Sequence, residues 1–416
     1  MKTFAKFFLH FSLVMLSCLT TGCTSEVETI GATPEIPENP QANDPNRRSV
    51  VISLQNKLIL VNGTPESRAI TRDGIAEEDE NRIESFDIYA FGSDKEEGPY
   101  TFQERFAYRS DAGTLPAGAS PIDLKADEAA GKINVVFYPR KGLFTKFYCV
   151  ANQTEMNDAA GNIYTNYTPL QQSSQTQSGV PGDIVTSPGT PTESDFIKLN
   201  TPLLNPTGFN ANILLAPLPM SGANSQPTDL REYSMGTYVR LNVSLTRAVA
   251  RFDIVNDATK SHFTITDISM GNGRQGVTLF PIRPTGDVPA TNSQLITYPY
   301  RLFDGLNANA GTTTKAFYCY PCNAIDAGYL ILKGLYAANL TDEKKEVSYR
   351  IPFERVTDGN GTRIEINHNH RYTVQITEAD PFELTANIRL VDWETGDYID
   401  DYEPDNGLET IAVADL

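Results

Sequence analysis

The sequence predicts an all-β protein made of tandem β-sandwiches. Apolar and polar residues alternate along most of the 416-residue chain, and a period of two is the pattern of a half-buried strand. The 29 glycines and 26 prolines supply the turns that many short strands need. No window of about 15 residues shows a clear helical period, so we expect helices to be few and short.

The first 22 residues have the features of an export signal. Lys2 and Lys6 precede an apolar stretch, Phe7–Leu19, that is shorter than a membrane-spanning helix. The next residues, through Gly22 and Cys23, resemble a bacterial lipobox, and this resemblance implies cleavage before Cys23 and a lipid on its thiol. An ordinary signal peptide followed by an incidental cysteine is the alternative.

An acidic, proline-bearing tether at residues 24–46 precedes the first expected strand. The strands expected in this half are Val50–Leu54 with its continuation Leu58–Val61, Ser85–Phe91, Ile133–Tyr138 and Phe147–Ala151. Gln171–Asp195 is rich in Ser, Gln, Thr, Gly and Pro, which predicts a long exposed loop.

A second block of alternating residues begins near Met235, so the boundary between the two sandwiches is expected around residues 220–240. The alternation slips by one residue at Arg247, which predicts a bulge or a corner where the strand changes sheets. The later expected strands are Tyr329–Tyr336 and Val347–Phe353, which form a hairpin, and Arg371–Ile376 and Leu384–Trp393.

Composition argues against several functional classes. The formal charge of −18 and the pI near 4.7 argue against a nucleic-acid-binding surface, which needs a basic stripe. After loss of the signal and lipidation of Cys23, three cysteines remain, an odd number that does not describe a disulfide scaffold. These cysteines are Cys149, Cys319 and Cys322.

Three short motifs could carry chemistry, and none is convincing. Gly271–Gly276 matches a dinucleotide-binding glycine pattern, but the residues that follow, Val277–Pro281, predict a strand with a proline stop instead of a helix, so we expect the glycines to form a hairpin loop. Cys319 and Cys322 continue a strand, so we interpret them as buried thiols or a single disulfide. His368 and His370 could share a metal on one strand face, but no third ligand is apparent. We therefore expect no metal, no cofactor and no enzyme activity.

Several segments together resemble the fimbrillin family, the type V pilin subunits of Bacteroidales. They are the lipobox at Cys23, Ser67-Arg68-Ala69, Phe86–Phe91, Phe147–Asn152, Leu218–Gly222, Arg247–Arg251, Asn369–Tyr372 and Val391–Trp393. The resemblance covers nearly the whole chain. It implies two tandem transthyretin-like β-sandwich domains with a removable N-terminal strand and a C-terminal extension.

The resemblance also implies maturation by an arginine-specific protease. We predict cleavage between Arg68 and Ala69, because Gly63-Thr64-Pro65 marks a turn just before them. Arg47, Arg48 and Arg72 are alternatives; a cut after Arg48 would leave the first strand in place, whereas a cut after Arg72 would release it almost as well.

The expected organisation is a signal peptide at 1–22, a lipidated propeptide at 23–68, sandwiches at 69–235 and 236–402, and an extension at 403–416. The extension is the candidate donor strand for another subunit. The residues assigned to that strand are Leu408, Thr410, Ile411, Ala412, Val413, Ala414 and Leu416.

The predicted function is a structural subunit of an adhesive cell-surface fimbria that polymerises by donor-strand exchange. The expected partners are other fimbrial subunits, including copies of this chain, the maturation protease, the outer membrane through the precursor's lipid, and a host or bacterial surface receptor. The alternatives are a lipid-retaining anchor or tip subunit, a glycan-binding surface lipoprotein and, with no support in the sequence, an extracellular hydrolase.

Overall fold

A computed structural model describes most of the chain between Pro40 and Asp400. The described residues are 40–54, 59–60, 77–111, 114–127, 132–158, 163–167, 172–175, 184–186, 192–205, 213–231, 238–280, 295–303, 310–339, 341–357, 360–393 and 398–400. The chain divides into two compact units, residues 1–44 and residues 45–416. In the first unit, the described residues form a short 3-10 helix at Pro40–Asn43. All features below belong to the second unit.

The strands of the first half are β1 (Val50–Leu54), β2 (Ile59–Leu60), β3 (Arg82–Ile83), β4 (Ser85–Ser93), β5 (Thr101–Arg109), β6 (Ala119–Pro121), β7 (Asp123–Asp127), β8 (Lys132–Phe137), β9 (Phe144–Ala151), β10 (Met156–Asn157), β11 (Ile163–Tyr167), β12 (Gln172–Gln175), β13 (Ile184–Thr186), β14 (Met220–Asp229), β15 (Val239–Val243) and β16 (Thr246–Arg247). Those of the second half are β17 (Ala250–Asp257), β18 (Phe263–Gly271), β19 (Gly273–Arg274), β20 (Leu295–Ile296), β21 (Arg301–Leu302), β22 (Ala310–Cys319), β23 (Tyr329–Tyr336), β24 (Lys345–Pro352), β25 (Glu354–Thr357), β26 (Asn360–Arg363), β27 (His370–Ala379), β28 (Leu384–Asp392) and β29 (Tyr398–Asp400).

The helices of this unit are short. α1 (Glu193–Phe196) and α2 (Ala258–Ser261) have four residues each, and 3-10 turns lie at Glu78–Asn81 and Ala324–Asp326. Each α-helix begins at an N-cap, Thr192 or Asp257, whose side chain accepts a hydrogen bond from a backbone N–H of the first turn. The described part of the chain is nearly all β, as the alternation predicts.

The first hydrophobic core lies between two sheets. One sheet has the strand order β15-β1-β8-β7, and the other has the order β16-β14-β9-β4-β5-β6. The core contains Val50 and Ile52 of the first sheet and Phe86, Phe106 and Phe147 of the second, all 0% exposed. Two faces of alternating apolar residues thus meet and bury each other.

The second core is built in the same way from the rest of the chain. Its sheets have the orders β22-β17-β27-β28-β29 and β21-β18-β23-β24. Phe252 and Tyr372 of the first of these sheets stack with ring centroids 5.2 Å apart, and Phe263 of the second makes an edge contact with Tyr349 at 4.9 Å. The transthyretin-like tandem arrangement itself stays a prediction.

The chain passes from one core to the other close to Arg247. Val243 and Leu245 lie in the first core, whereas Ala248 and Val249 lie in the second. β15 pairs with β1 in a sheet of the first core. β17, which follows β16, belongs to a sheet of the second core. The predicted corner at Arg247 is where the strand changes sheets, while the predicted boundary at 235/236 remains a prediction.

Two sequence expectations in the first half are wrong. The predicted exposed loop at 171–195 contains β12 and β13, which belong to a sheet with the order β10-β11-β12-β13, and it contains the start of α1. The predicted alternation of β4 is absent, because all nine of its residues are buried. Phe196 of α1 packs against Tyr89 and Phe91 and covers the outer face of the sheet.

Candidate functional site

β1 is an interior strand and forms hydrogen-bonded ladders on both sides. It runs parallel to β15, where Val50, Ile52 and Leu54 pair with Val239, Leu241 and Val243. On its other side it runs antiparallel to β8, where the same three residues pair with Phe137, Val135 and Ile133. We call the place between β15 and β8 that β1 fills the β1 slot. Removal of β1 would leave two unpaired strand edges facing each other.

The side chains of β1 alternate strictly between the core and the outer face. Val50, Ile52 and Leu54 are 0% exposed, whereas Val51 and Ser53 are half-buried. Ser53 donates a hydrogen bond from its hydroxyl to Oδ1 of Asn134, 2.7 Å away. Each fully buried aliphatic side chain contributes about 1.5–3 kcal/mol, so the three together contribute about 5–9 kcal/mol.

The residues that precede β1 hold its N-terminal end against the loop after β8. Arg47 donates from Nη1 to the carbonyl of Tyr138 at 2.6 Å and pairs with Glu104 at 3.0 Å. The backbone N–H of Arg48 donates to the carbonyl of Pro139 at 2.9 Å. Arg47 and Arg48 therefore make contacts that hold the N-terminal end of β1 in the uncut chain.

A second feature lies where the described chain resumes at Glu77. The acidic segment Glu77–Asn81 contacts Arg251 and Lys315 of the second sandwich and Arg247 at the corner between the two sandwiches. We call this set of residues the acidic clasp. Nζ of Lys315 lies 2.7 Å from Glu77 and 3.0 Å from Asp79. Because Ile83 of β3 lies in the first core, the clasp joins the two sandwiches immediately before β4.

Glu80 is the buried centre of the clasp. Its carboxylate accepts hydrogen bonds from Nη1 of Arg251 at 2.8 Å and from the hydroxyl of Tyr318 at 2.5 Å. Burial raises the pKa of Glu80, and the guanidinium of Arg251 opposes that rise. Arg251 also donates to Asp253 at 2.7 Å, so its charge has two carboxylate partners.

Arg247 and Trp393 complete the clasp region. Arg247 donates to the side chains of Asn81 and Asn369. Its guanidinium lies 4.9 Å from the centre of the Trp393 ring, which stacks on Tyr318 at 6.1 Å. The motif segments Arg247–Arg251, Asn369–Tyr372 and Val391–Trp393 thus all contribute to or adjoin one contact region.

The sequence missed the clasp, although a signal was present. Glu77-Glu78-Asp79-Glu80 is a run of four acidic residues, a pattern typical of a solvated surface. Only the fold brings Arg247, Arg251 and Lys315 to this run and buries Glu80.

The predicted maturation and donor residues fall outside the described residues. They are Cys23, Arg68, Ala69, Leu408, Thr410, Ile411, Ala412, Val413, Ala414 and Leu416, together with the alternative cleavage residue Arg72. The described chain ends at β29, which pairs antiparallel with β28 in a sheet of the second sandwich. The lipidation, cleavage and donor-strand assignments therefore stay predictions.

Two glycines of the dinucleotide-like motif allow tyrosine rings to pack closely against the backbone. Gly271 ends β18, and a Cβ built there would lie 2.2 Å from the ring of Tyr329. A Cβ at Gly273 would lie 2.5 Å from the ring of Tyr298. Arg274 forms a buried ion pair with Asp326 at 2.6 Å, and the described residues 275–280 that follow it contain no helix. The predicted hairpin loop is wrong, because Gly271 belongs to β18 and Gly273 to β19, which pairs with β20. The strand predicted after it is also wrong, since the described residues 277–280 contain only an isolated bridge at Thr278.

The cysteine and histidine motifs also have structural surroundings. Cys149, Cys319 and Cys322 are free and buried, and burial raises the pKa of the Cys322 thiol to about 12. His368 lies in a turn rather than on a strand, and its carbonyl contacts Nδ1 of His370 at 2.7 Å. Within the described ranges, no three His, Cys, Asp or Glu side chains are grouped as a metal site requires. None of the helices in those ranges has the length and hydrophobicity to span a membrane.

Comparison with known proteins gives matches among solved structures alone. No protein-family model matches the chain, and no curated protein matches it. The chain is similar to the tip fimbrial protein Mfa3 from Porphyromonas gingivalis, with a TM-score of 0.44 and 14% identity over 83% of this chain and 100% of that one. It is also similar to a fimbrial assembly protein from Parabacteroides distasonis, with a TM-score of 0.42 and 13% identity over 83% and 98% of the two chains.

A third similar structure is the fimbrial anchor protein Mfa2 from Porphyromonas gingivalis, with a TM-score of 0.31 and 8% identity over 85% of this chain and 100% of that one. These three similar structures are fimbrial proteins of Porphyromonas gingivalis and Parabacteroides distasonis.

Proposed function

We propose that this chain is a structural subunit of a cell-surface fimbria and that it assembles by exchanging β1 for a donor strand. The observation that carries the proposal is the place of β1, an interior strand paired on both sides and fully buried on one face. A strand in that position can be replaced by another strand that makes the same ladders and fills the same core.

The proposed maturation begins with export as a lipoprotein precursor carrying its lipid on Cys23. Cleavage after Arg68 by an arginine-specific protease then separates β1 and β2 from the rest of the subunit. The cut lies in the sequence between β2 and the acidic clasp. Glu77 and Glu80 remain with the mature chain and keep their contacts with Lys315 and Arg251. The segment before β4 would therefore stay held by the clasp while the β1 slot opens.

The C-terminal extension is the proposed donor strand of this subunit. It follows β29 and contains alternating apolar residues between Leu408 and Leu416. Because the slot and the extension are different parts of the chain, such contacts are head-to-tail and do not close, which gives a filament. The proposed role is structural and adhesive, at the cell surface, with other fimbrial subunits as partners and a surface receptor as the adhesive target.

Mass spectrometry of the protein isolated from the cell surface tests this proposal. We expect an N-terminus at Ala69 on a polymer that resists detergent. An Arg68→Ala variant should accumulate as a precursor, whereas the matched variant Arg48→Ala should mature normally. A chain that always begins at acylated Cys23 and never enters filaments would contradict the proposal and favour a lipid-retaining anchor subunit.

A further inference from the structure

The β1 slot has three side-chain pockets of defined size and order. Val50, Ile52 and Leu54 each fill one pocket and are 0% exposed. At the Leu54 pocket, the paired residues on the neighbouring strands are Ile133 and Val243, both of which are buried. The pockets therefore accept branched aliphatic side chains. The two positions between them, which lie on the outer face of the sheet, do not require aliphatic side chains.

The pairing of β1 also fixes the direction of any replacement strand. β1 runs parallel to β15 and antiparallel to β8. A strand that reproduces both hydrogen-bond ladders must run in the same direction, because parallel and antiparallel ladders have different bond patterns. It must also present its apolar residues at positions i, i+2 and i+4 in the order of the Val50, Ile52 and Leu54 pockets.

The chain's own extension does not fit these pockets when Ile411 and Val413 face the core. If these residues enter the Val50 and Ile52 pockets, Asp415 enters the Leu54 pocket. If they enter the Ile52 and Leu54 pockets, Glu409 enters the Val50 pocket. Either alignment buries a carboxylate among apolar side chains, which is unfavourable without a paired cation.

The end of the slot at Val50 loses a cation when the segment that contains β1 is excised. Arg47 pairs with Glu104 at 3.0 Å in the uncut chain and leaves with the excised segment. Glu104 stays, and it keeps Arg140 as a partner at 3.5 Å. Excision therefore removes the Arg47 charge from this end of the slot and leaves Glu104 with one arginine partner fewer, which disfavours an acidic donor residue at this end.

The other face of the extension is too small. Its residues are Leu408, Thr410, Ala412, Ala414 and Leu416, so every alignment places at least one alanine or threonine in a pocket that now holds a larger aliphatic group. An alanine in place of a buried Ile or Leu leaves a cavity. The lost packing lowers the equilibrium constant for incorporation of the strand about 30-fold or more.

We propose that the β1 slot accepts a strand from a different polypeptide, and that this chain's own extension is not its occupant. The partner strand carries branched aliphatic residues at three alternate positions and runs in the direction of β1. This inference rests on the proposed function and makes it more specific: the contact at the β1 slot is heteromeric, and the extension of this chain serves another subunit's slot.

A competition between two peptides of equal length tests the inference on the full-length chain. The chain is nicked after Arg68, exchanged in mild denaturant with an equimolar mixture of peptides 46–55 and 407–416, and returned to buffer. Native mass spectrometry then counts each incorporated peptide. We expect peptide 46–55 to exceed peptide 407–416 by about 30-fold or more.

Substituted extension peptides identify the cause of the difference. Asp415→Leu should restore incorporation to within about tenfold of peptide 46–55, because Ile411, Val413 and the new leucine then match the three pockets in total volume. Asp415→Asn removes the charge but keeps a polar group in the pocket, so it should restore little. Ala414→Ser, which faces outward in this alignment and adds no apolar bulk to the other face, is the matched control and should change incorporation less than threefold.

The outcomes separate this inference from the proposed function. Equal incorporation of peptides 46–55 and 407–416 would overturn the heteromeric assignment and leave strand exchange intact. Weak incorporation of peptide 407–416 that Asp415→Leu fails to improve would overturn the pocket argument. Failure of peptide 46–55 itself to incorporate would overturn strand exchange and this inference together.

Discussion

Nη1 of Arg251 lies 2.8 Å from Oε2 of Glu80, and the side chains of both residues are at most 1% exposed. This ion pair connects a turn that follows the predicted cleavage loop to β17 in the second sandwich. Asp253 and Tyr318 supply the remaining partners of the two groups. The pair therefore holds the segment before β4 in place by contacts that do not involve β1.

Removal of the Glu80 carboxylate should destabilise the protein. Glu80→Ala removes the buried carboxylate that accepts from Nη1 of Arg251, while Asp253 still pairs with Nε. Because loss of one partner of a buried pair costs about 3–5 kcal/mol, and Asp253 compensates in part, we expect a loss of about 2–4 kcal/mol in the free energy of unfolding measured in urea. Glu78→Ala, at an exposed position of the same turn, should cost less than about 0.5 kcal/mol. Equal effects of the two variants would refute a special role for Glu80.

The core face of β1 should carry most of that strand's contribution to stability. Ile52→Ala creates a cavity in the first core, and we expect the free energy of unfolding to fall by about 2–5 kcal/mol. Val51→Ala, on the half-buried outer face, should lower it by about 1 kcal/mol or less. Urea unfolding of the uncut chain measures both. A larger loss for Val51→Ala would mean that the two faces of β1 are assigned the wrong way round.

His368 should make stability depend on pH. Burial, and next the nearby charge of His370, lower the pKa of His368 from 6.5 to about 4 in the folded protein. Between these values the unfolded chain binds a proton that the folded chain does not, so stability falls as the pH falls from about 6.5 to about 4. We expect His368 to account for about 1–3 kcal/mol of this loss. His368→Gln should therefore reduce the difference in unfolding free energy between pH 7 and pH 4.5; an unchanged difference would exclude His368 as the titrating group.

Trp393 should report on the second sandwich alone. It is the single tryptophan of the chain, is 0% exposed, and lies in a core whose buried residues all follow position 203. Release of β1 from the nicked chain should leave its fluorescence emission maximum unchanged. Glu80→Ala should increase acrylamide quenching of Trp393, because Arg251 lies over the indole ring at 6.0 Å. A red shift on release of β1 would show that the two cores are not independent.

The strands with strict alternation could be located from the sequence. Val50–Leu54 was predicted with the bounds that the structure gives, and the slip at Arg247 correctly indicated a change of sheet. Alternation depends on side chains that are neighbours along the chain, so a local pattern is sufficient. β4 could not be predicted fully, because its second apolar face is buried by residues of distant segments, among them Phe196 and Leu279.

What the sequence by itself determined is the all-β class, the strand at Val50–Leu54 and the scarcity of residues suited to catalysis. What only the tertiary structure decided is that β1 lies between β15 and β8, and that an acidic run which resembles a solvated surface is buried against Arg251. The physical reason is that hydrophobic periodicity specifies which face of a strand is buried, whereas the identity of its neighbours depends on contacts between residues far apart in the chain.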